Sequence, residues 1–309
     1  MTDKTIESSP SSAARSPGYF VLSLDTELAW GYWDRFDPGM FSPDGSRERR
    51  GIEGILDLLD RYEVPATWAV VGHLFYRGCE ECEECPVRAW EGQYPTFDAV
   101  YGTEHPLWYG ADVLEWVLAR RLPHEIGFHG YTHRRFDRLG EDQASFEIRE
   151  WQRLAGRWGL QGVSVVFPQD RQRHHHLFAG QGFECFRGQE RQPPLFRRRQ
   201  LGRPLRYLYE ELANLMVPST YSLPIPDGAL IDLPSSRWLS GPRTGLNGLL
   251  GKLGAERIRA RRTVQGVLRA ADRREVLHLY AHPWQFRGHE DLENLERVLE
   301  AVARERDRG

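Results

Sequence analysis

The chain has 309 residues, of which 40% are hydrophobic and 12% aromatic, enough for one large domain with a substantial core or for two small ones. A formal net charge of −3 argues against a polyanionic partner, so we expect no binding to nucleic acid. No apolar stretch approaches the length needed to span a bilayer, so we expect no transmembrane segment.

The beginning of the chain is rich in Ser, Pro and Ala and contains no apolar run that resembles a signal peptide. We therefore expect a disordered N-terminal tail over residues 1–17, a single domain over residues 18–309 and a cytoplasmic location. The sequence leaves the oligomeric state open.

The first predicted strand is YFVLSLD (Tyr19 to Asp25), whose nearly continuous apolar character is typical of a strand buried on both faces. An amphipathic helix follows over residues 51–64, and a second strand lies within residues 65–75. Residues 111–121 predict another helix, and residues 124–130 predict a strand that runs into a loop.

The rest of the chain continues this alternation of strands and helices. Helices are predicted at 142–159, 249–274 and 291–308, and strands within 163–168, 177–188, 229–236 and 275–284. Strands that alternate with helices indicate parallel β/α units, an α/β fold. In such folds the carboxyl ends of the strands carry the chemistry.

Polar side chains follow several of these strands. Asp25 and Glu27 end the first strand, where positions i and i+2 of an extended chain lie on the same side. His129 and His133 follow the strand EIGF, and their spacing lets both imidazoles reach one ion if the backbone turns helically. His282 follows VLHLYA near the end of the chain.

This set of residue types indicates a catalytic metal site. Such sites use three ligands from His, Asp and Glu, and leave one position for water or substrate. We therefore expect one divalent cation, with Zn as the first expectation and Co, Ni, Mn or Fe compatible with the same ligands. The remaining carboxylate can accept a proton from water, and His282 can donate one to a departing amine.

A second candidate metal site is the run GCEECEECP, which contains Cys79, Cys82 and Cys85. The spacing allows zinc or an iron–sulfur cluster, although both normally need a fourth ligand. The neighbouring glutamates favour an acidic loop with free thiols or one disulfide instead.

Across most of residues 19–285 the motifs resemble, in order, those of the polysaccharide deacetylase (NodB-homology) family, carbohydrate esterase family 4. SLDTE corresponds to the family's first motif, usually Thr-Phe-Asp-Asp, and HEIGFHGYTH is close to its second, His-(Ser/Thr)-x-x-His. DLPSSRW is similar to the Asp/Trp motif and LHLYAHP to the Leu-x-x-His motif. The resemblance implies a distorted (β/α) barrel and metal-dependent removal of the acetyl group from an N-acetylated sugar.

The resemblance also implies individual roles for site residues. It makes Asp25 the general base and His282 the general acid. Trp238 and Leu279 would line a pocket for the acetyl methyl group. The backbone N–H of Tyr131 would donate to the oxyanion of the reaction.

The metal ligands depart from the family pattern at one position. Thr26 stands where the family has its second Asp, which is normally a ligand. We therefore expect Glu27 to bind the metal with His129 and His133, while Asp25 acts as the base. The roles of Asp25 and Glu27 could be exchanged.

A second departure concerns the arginine that orients the base in the family. It normally precedes the proline that corresponds to Pro168, but Phe167 stands there. Arg171, three residues after Pro168, is the candidate for this role.

These departures indicate a divergent branch, for which we expect a sugar nucleotide or a lipid-linked glycan as the substrate in preference to a polysaccharide. Two alternatives stay open. One is hydrolysis of another linear amide, of ureide or formamide type, which some relatives of this barrel perform without a metal. The other is a carbohydrate-binding protein that has lost catalysis.

Overall fold

The structure is a computed structural model that describes residues 17–32, 40–82, 105–190, 215–225, 230–239 and 255–309. Residues 1–16, which make up nearly all of the expected disordered tail, lie outside this range, as does Cys85. In the parts of the chain that are described, no helix is both long enough and apolar enough to cross a membrane.

Within the described residues, eight parallel strands form a single sheet. They are β1 (Tyr19–Thr26), β2 (Thr67–Val70), β3 (Glu125–Phe128), β4 (Ser164–Val165), β5 (Cys185–Gly188), β6 (Ile231–Pro234), β7 (Arg237–Trp238) and β8 (Val276–Ala281). Their order across the sheet is β6-β5-β4-β3-β2-β1-β8-β7. The sheet curls into a partial barrel with helices around it, which confirms the expected distorted (β/α) barrel of NodB-homology type.

Five α-helices of the described chain accompany the strands. They are α1 (Ser46–Tyr62), α2 (Ala111–Leu118), α3 (Glu141–Arg157), α4 (Ala255–Arg273) and α5 (His289–Arg308). The predicted helices coincide with them to within a few residues at most ends, and residues 249–254 of the predicted helix 249–274 lie outside the described chain. The two-residue strand β7 was missed, because it is too short to show a periodic pattern.

Side chains on β1 alternate between two environments. Leu22 and Leu24 belong to the hydrophobic core, while Ser23 and Asp25 are buried polar residues that point to the barrel interior. This alternation follows from the two-residue period of an extended chain. The strand is buried on both faces, as predicted, but its inner face is polar and carries the chemistry.

The same alternation on β8 corrects one prediction. The His278 side chain is hydrogen-bonded to Ser23 on the neighbouring strand β1, with 3.0 Å between Nε2 and Oγ, and Tyr280 lines the interior cavity. Leu279, between them, is buried in the outer hydrophobic core. It therefore does not line the interior cavity, and Tyr280 lies there instead.

A short link between β6 and β7 joins the two ends of the curled sheet. The backbone N–H of Ser235 donates to Gly188 O on β5 at 3.1 Å, and the N–H of Ser236 donates to His278 O on β8 at 2.6 Å. The Ser236 hydroxyl also accepts from the His278 N–H at 3.1 Å. These bonds bring β5 and β8 to facing sides of one interior, where their polar side chains meet.

Candidate active site

Glu27, His129 and His133 converge at the carboxyl ends of β1 and β3. Nε2 of His133 lies 2.9 Å from Glu27 Oε2, and Nε2 of His129 lies 3.5 Å from the same oxygen. One candidate ligand atom from each residue falls within 4.8 Å of the others. Gly130, with a φ of 76°, provides the tight turn between the two histidines, a conformation that glycine adopts without strain.

The histidine rings present nitrogen atoms that suit a cation. Nδ1 of His129 lies 2.8 Å from Val166 O, which fixes the ring so that Nε2 faces Glu27. Nε2 of His129 and both ring nitrogens of His133 are buried, and apart from the approach of the two Nε2 atoms to Glu27 none has a hydrogen-bond partner within the described chain. A carboxylate with two such imidazoles fits Zn²⁺ or a related divalent ion.

The loop that carries both histidines is held by Glu147 of α3. Its buried carboxylate accepts from the backbone N–H groups of Tyr131 at 2.7 Å and Thr132 at 2.8 Å, and from the Thr132 hydroxyl at 2.5 Å. Burial raises the pKa of Glu147, against the lowering effect of these hydrogen bonds. The Tyr131 N–H is therefore already engaged by Glu147, which argues against the oxyanion-donor role that the resemblance implied.

Asp25 forms a two-pronged ion pair with Arg187 of β5. Nη1 lies 2.5 Å from Oδ1 and Nη2 lies 2.8 Å from Oδ2, with both side chains buried. Burial alone would raise the pKa of Asp25, but the guanidinium outweighs it and the pKa lies below its usual value. The carboxylate is thereby kept charged and fixed in orientation.

This pair corrects the assignment of Arg171. Arg171 is exposed, after the short 3-10 turn Pro168–Asp170, and the guanidinium on Asp25 comes from Arg187 instead. Arg187 reaches Asp25 because it lies on β5 and its side chain points into the barrel interior. Sequence reasoning missed Arg187, although an arginine inside the strand-like run GFECFRG was a usable signal.

Arg187 has three further contacts that fix it. Nη2 donates to Asp170 Oδ1 at 3.0 Å, and Nη1 donates to Ser23 Oγ at 3.3 Å. Its Cζ lies 4.4 Å from the centroid of the Tyr280 ring, a cation–π distance. With so many partners, the guanidinium is a rigid support for Asp25.

His282 lies directly after β8 and faces the two carboxylates. Nε2 is 3.4 Å from Glu27 Oε1 and 3.9 Å from Asp25 Oδ2. The Trp238 indole packs edge-on against the imidazole, with 5.6 Å between ring centroids. The predicted acid, the predicted base and the candidate ligands thus meet at one end of the barrel.

A cavity of about 190 Å³ opens over this group. Asp25, Glu27, His133 and His282 lie in its wall. Aromatic residues form another part of the wall: Tyr32, Trp238 and Tyr280. The combination of charged groups and aromatic faces suits a polar ligand with apolar patches, such as a sugar ring.

The cysteine run is only partly described. Cys82 is buried, with Sγ 3.8 Å from the Tyr131 hydroxyl, behind the histidine loop. The side chain of Cys79 and all of Cys85 lie outside the described residues. The metal-site prediction for this run therefore stays a prediction.

The chain resembles known proteins in its fold. No family model matches the chain. No curated protein matches it either.

Solved structures do share its architecture. A protein assigned as a polysaccharide deacetylase from Mycobacterium smegmatis superimposes with a TM-score of 0.56 at 17% identity, over 97% of this chain and 89% of the other. One with the same assignment from Pseudomonas aeruginosa gives 0.52 at 14% identity, over 94% and 90%. The PuuE allantoinase gives 0.52 at 14% identity, over 96% and 91%. The chain thus has the fold of the polysaccharide deacetylases, as the sequence motifs predicted.

Proposed function

We propose that the protein is a metal-dependent deacetylase that hydrolyses the N-acetyl group of an N-acetylated sugar. The observation that carries the proposal is the convergence of Glu27, His129 and His133 beside Asp25 and His282. A divalent cation bound by the first three residues would supply a Lewis acid that polarises the acetyl carbonyl and acidifies water.

The residues of this chain supply the proton transfers. Asp25, ionised and fixed by Arg187, accepts a proton from water as the water oxygen bonds to the acetyl carbon. The C–N bond then breaks, and His282 donates a proton to the departing amine. The products are acetate and the free amino sugar, and Asp25 and His282 then exchange protons with solvent to return to their starting states.

The cavity wall supports a sugar as the substrate. Trp238 and Tyr280 stack on each other, with 11° between ring planes, and present aromatic surface beside the acid His282. Aromatic faces bury the apolar side of a sugar ring, while Asp170 in the same wall can accept hydrogen bonds from its hydroxyls. A sugar nucleotide or lipid-linked glycan is the preferred form, with a polysaccharide as the next candidate.

The second candidate is hydrolysis of another linear amide, of ureide or formamide type. Its support is the fold likeness to the PuuE allantoinase, which equals the likeness to the Pseudomonas aeruginosa protein in TM-score. The buried carboxylate and imidazole group favours the metal-dependent deacetylase, because those nitrogen atoms lack other partners in the described chain.

The deciding experiment measures acetate release from N-acetylated monosaccharides, sugar nucleotides and chitooligosaccharides, with and without a chelator. Turnover that the chelator abolishes, and that Asp25→Asn abolishes without loss of metal, supports the proposal. Turnover of allantoin or a formamide in place of these sugars supports the second candidate. Sugar binding without turnover of any compound would indicate a carbohydrate-binding protein and would contradict both the deacetylase and the alternative amide hydrolase.

A further inference from the structure

Amide hydrolysis places negative charge on the former carbonyl oxygen, and hydrogen-bond donors aimed at that oxygen stabilise the transition state. The donor implied by the family resemblance, the Tyr131 N–H, is bound to Glu147. The cavity wall offers another donor on β8.

Tyr280 has the position that such a donor needs. It lies two residues before His282, so the period of the strand turns both side chains to the barrel interior. Both residues line the cavity together with Asp25 and Glu27. The phenol therefore shares one wall with the acid and faces the same space as the base.

The ring of Tyr280 is fixed by two contacts. The guanidinium carbon of Arg187 lies 4.4 Å from the ring centroid. The indole of Trp238 stacks on the ring, with 6.4 Å between centroids and 11° between planes. A fixed ring holds its hydroxyl in one place, as a preorganised donor requires.

The hydroxyl of Tyr280 makes no hydrogen bond to any residue of the described chain. Tyrosine hydroxyls that are largely buried usually have a partner, so this one is available to a ligand. Burial raises the pKa of Tyr280 well above its usual value, and the Asp170 carboxylate adds to the effect. The phenol therefore keeps its proton at neutral pH and can donate.

We infer that the Tyr280 hydroxyl donates a hydrogen bond to the acetyl carbonyl oxygen of the substrate, and that this bond strengthens as negative charge develops there. The inference rests on the proposed deacetylase function. No proton leaves Tyr280 in this step, because the proton of the attacking water passes to Asp25 and that of the amine comes from His282. Tyr280 is thus assigned as a further catalytic residue.

The test compares the wild type with Tyr280→Phe in the acetate-release assay. Phenylalanine keeps the ring contacts with Arg187 and Trp238 and removes only the hydroxyl. We expect kcat to fall on the order of 10²-fold, with a much smaller change in KM, as for the loss of one oxyanion donor. The control is Tyr62→Phe, whose hydroxyl donates to Glu296 at 3.1 Å away from the cavity, and which should leave kcat unchanged.

Two further measurements separate catalysis from structure. The Tm of Tyr280→Phe should equal or exceed that of the wild type, because the lost hydroxyl has no partner in the described chain. The loss of kcat caused by Tyr280→Phe should also be smaller on N-trifluoroacetyl substrates, because the fluorine atoms already stabilise the negative charge that develops on the carbonyl oxygen.

The possible outcomes are distinct. An active wild type with an equally active Tyr280→Phe overturns this inference and leaves the deacetylase proposal intact. A variant with a lowered Tm and an equal loss on both acyl groups points to a structural role and also overturns it. A wild type that is inactive on every N-acetylated sugar overturns the proposed function, and this inference falls with it.

Discussion

Arg187 and Asp25 form a buried, two-pronged ion pair across the barrel interior, at 2.5 Å and 2.8 Å between paired atoms. The arginine comes from β5 and the aspartate from β1, strands separated by β2, β3 and β4 in the sheet. The pair therefore forms only because the sheet curls, and it fixes the proposed base from the opposite wall.

Replacing Arg187 by lysine should lower kcat at least about 10-fold, because a single ammonium cannot reproduce the paired contact. The metal content should stay at the wild-type level, since Arg187 contacts Asp25 and not the candidate ligands. Kinetics and elemental analysis of the same preparation check both statements. The matched control is Arg171→Lys at an exposed position, which should retain full activity. Equal losses in the two variants would contradict the assignment of Arg187.

Gly31 is required for the position of the Glu27 carboxylate. A Cβ added at Gly31 would lie 2.0 Å from Glu27 Oε1, so the carboxylate would have to move. We expect Gly31→Ala to lose bound metal and most of its activity while it stays folded by circular dichroism. The control is Gly156→Ala in α3, where an added Cβ meets no atom within 4 Å and helix propensity should add about 0.5–1 kcal/mol of stability. Full metal occupancy in Gly31→Ala would show that Glu27 is not a ligand.

His278 should make the stability of the fold depend on pH. Burial, with a contribution from the Arg187 charge, lowers the pKa of His278 from 6.5 to about 3. Its stabilising contribution is therefore complete above pH 6.5, where the His278 side chain is neutral in the unfolded chain as well. The contribution is lost as the pH falls toward 3. The loss amounts to on the order of 1 kcal/mol for each pH unit within this window.

His278→Gln cannot titrate and should be less stable than the wild type at pH 7, because it loses the bonds to Ser23 and Leu233 O. The difference in unfolding free energy should narrow as the pH is lowered below about 6.5. Urea unfolding of both proteins at neutral and mildly acidic pH measures it. A difference that is constant with pH would contradict a neutral, buried His278.

The sequence predicted much of the fold and the centre of the site. Strand ends in a parallel sheet share one edge, so the placement of Asp25, Glu27, His129 and His282 after strands was enough to bring them together. The helices were predicted from their apolar period, and α1 begins earlier than predicted, at Ser46, because its first turn is polar and shows no such period.

The remaining site residues depend on contacts between distant segments. The engagement of the Tyr131 N–H by Glu147 requires the packing of α3 on the histidine loop, which no local pattern encodes. The sequence alone could have identified Tyr280, and not Leu279, as the cavity-lining residue, because the two-residue period of β8 places Tyr280 on the side of His282. Motif correspondence alone pointed to Leu279 and obscured that period.

The proposed function depends on one catalytic cation bound by Glu27, His129 and His133, with Asp25 as the base. Elemental analysis of purified wild type, His129→Ala and Asp25→Asn, each after the same incubation with zinc and gel filtration, tests it most directly. We predict about one equivalent of metal in the wild type and in Asp25→Asn, none in His129→Ala, and turnover in the wild type alone. Equal metal in all three proteins, or loss of metal in Asp25→Asn, would contradict this account of the site.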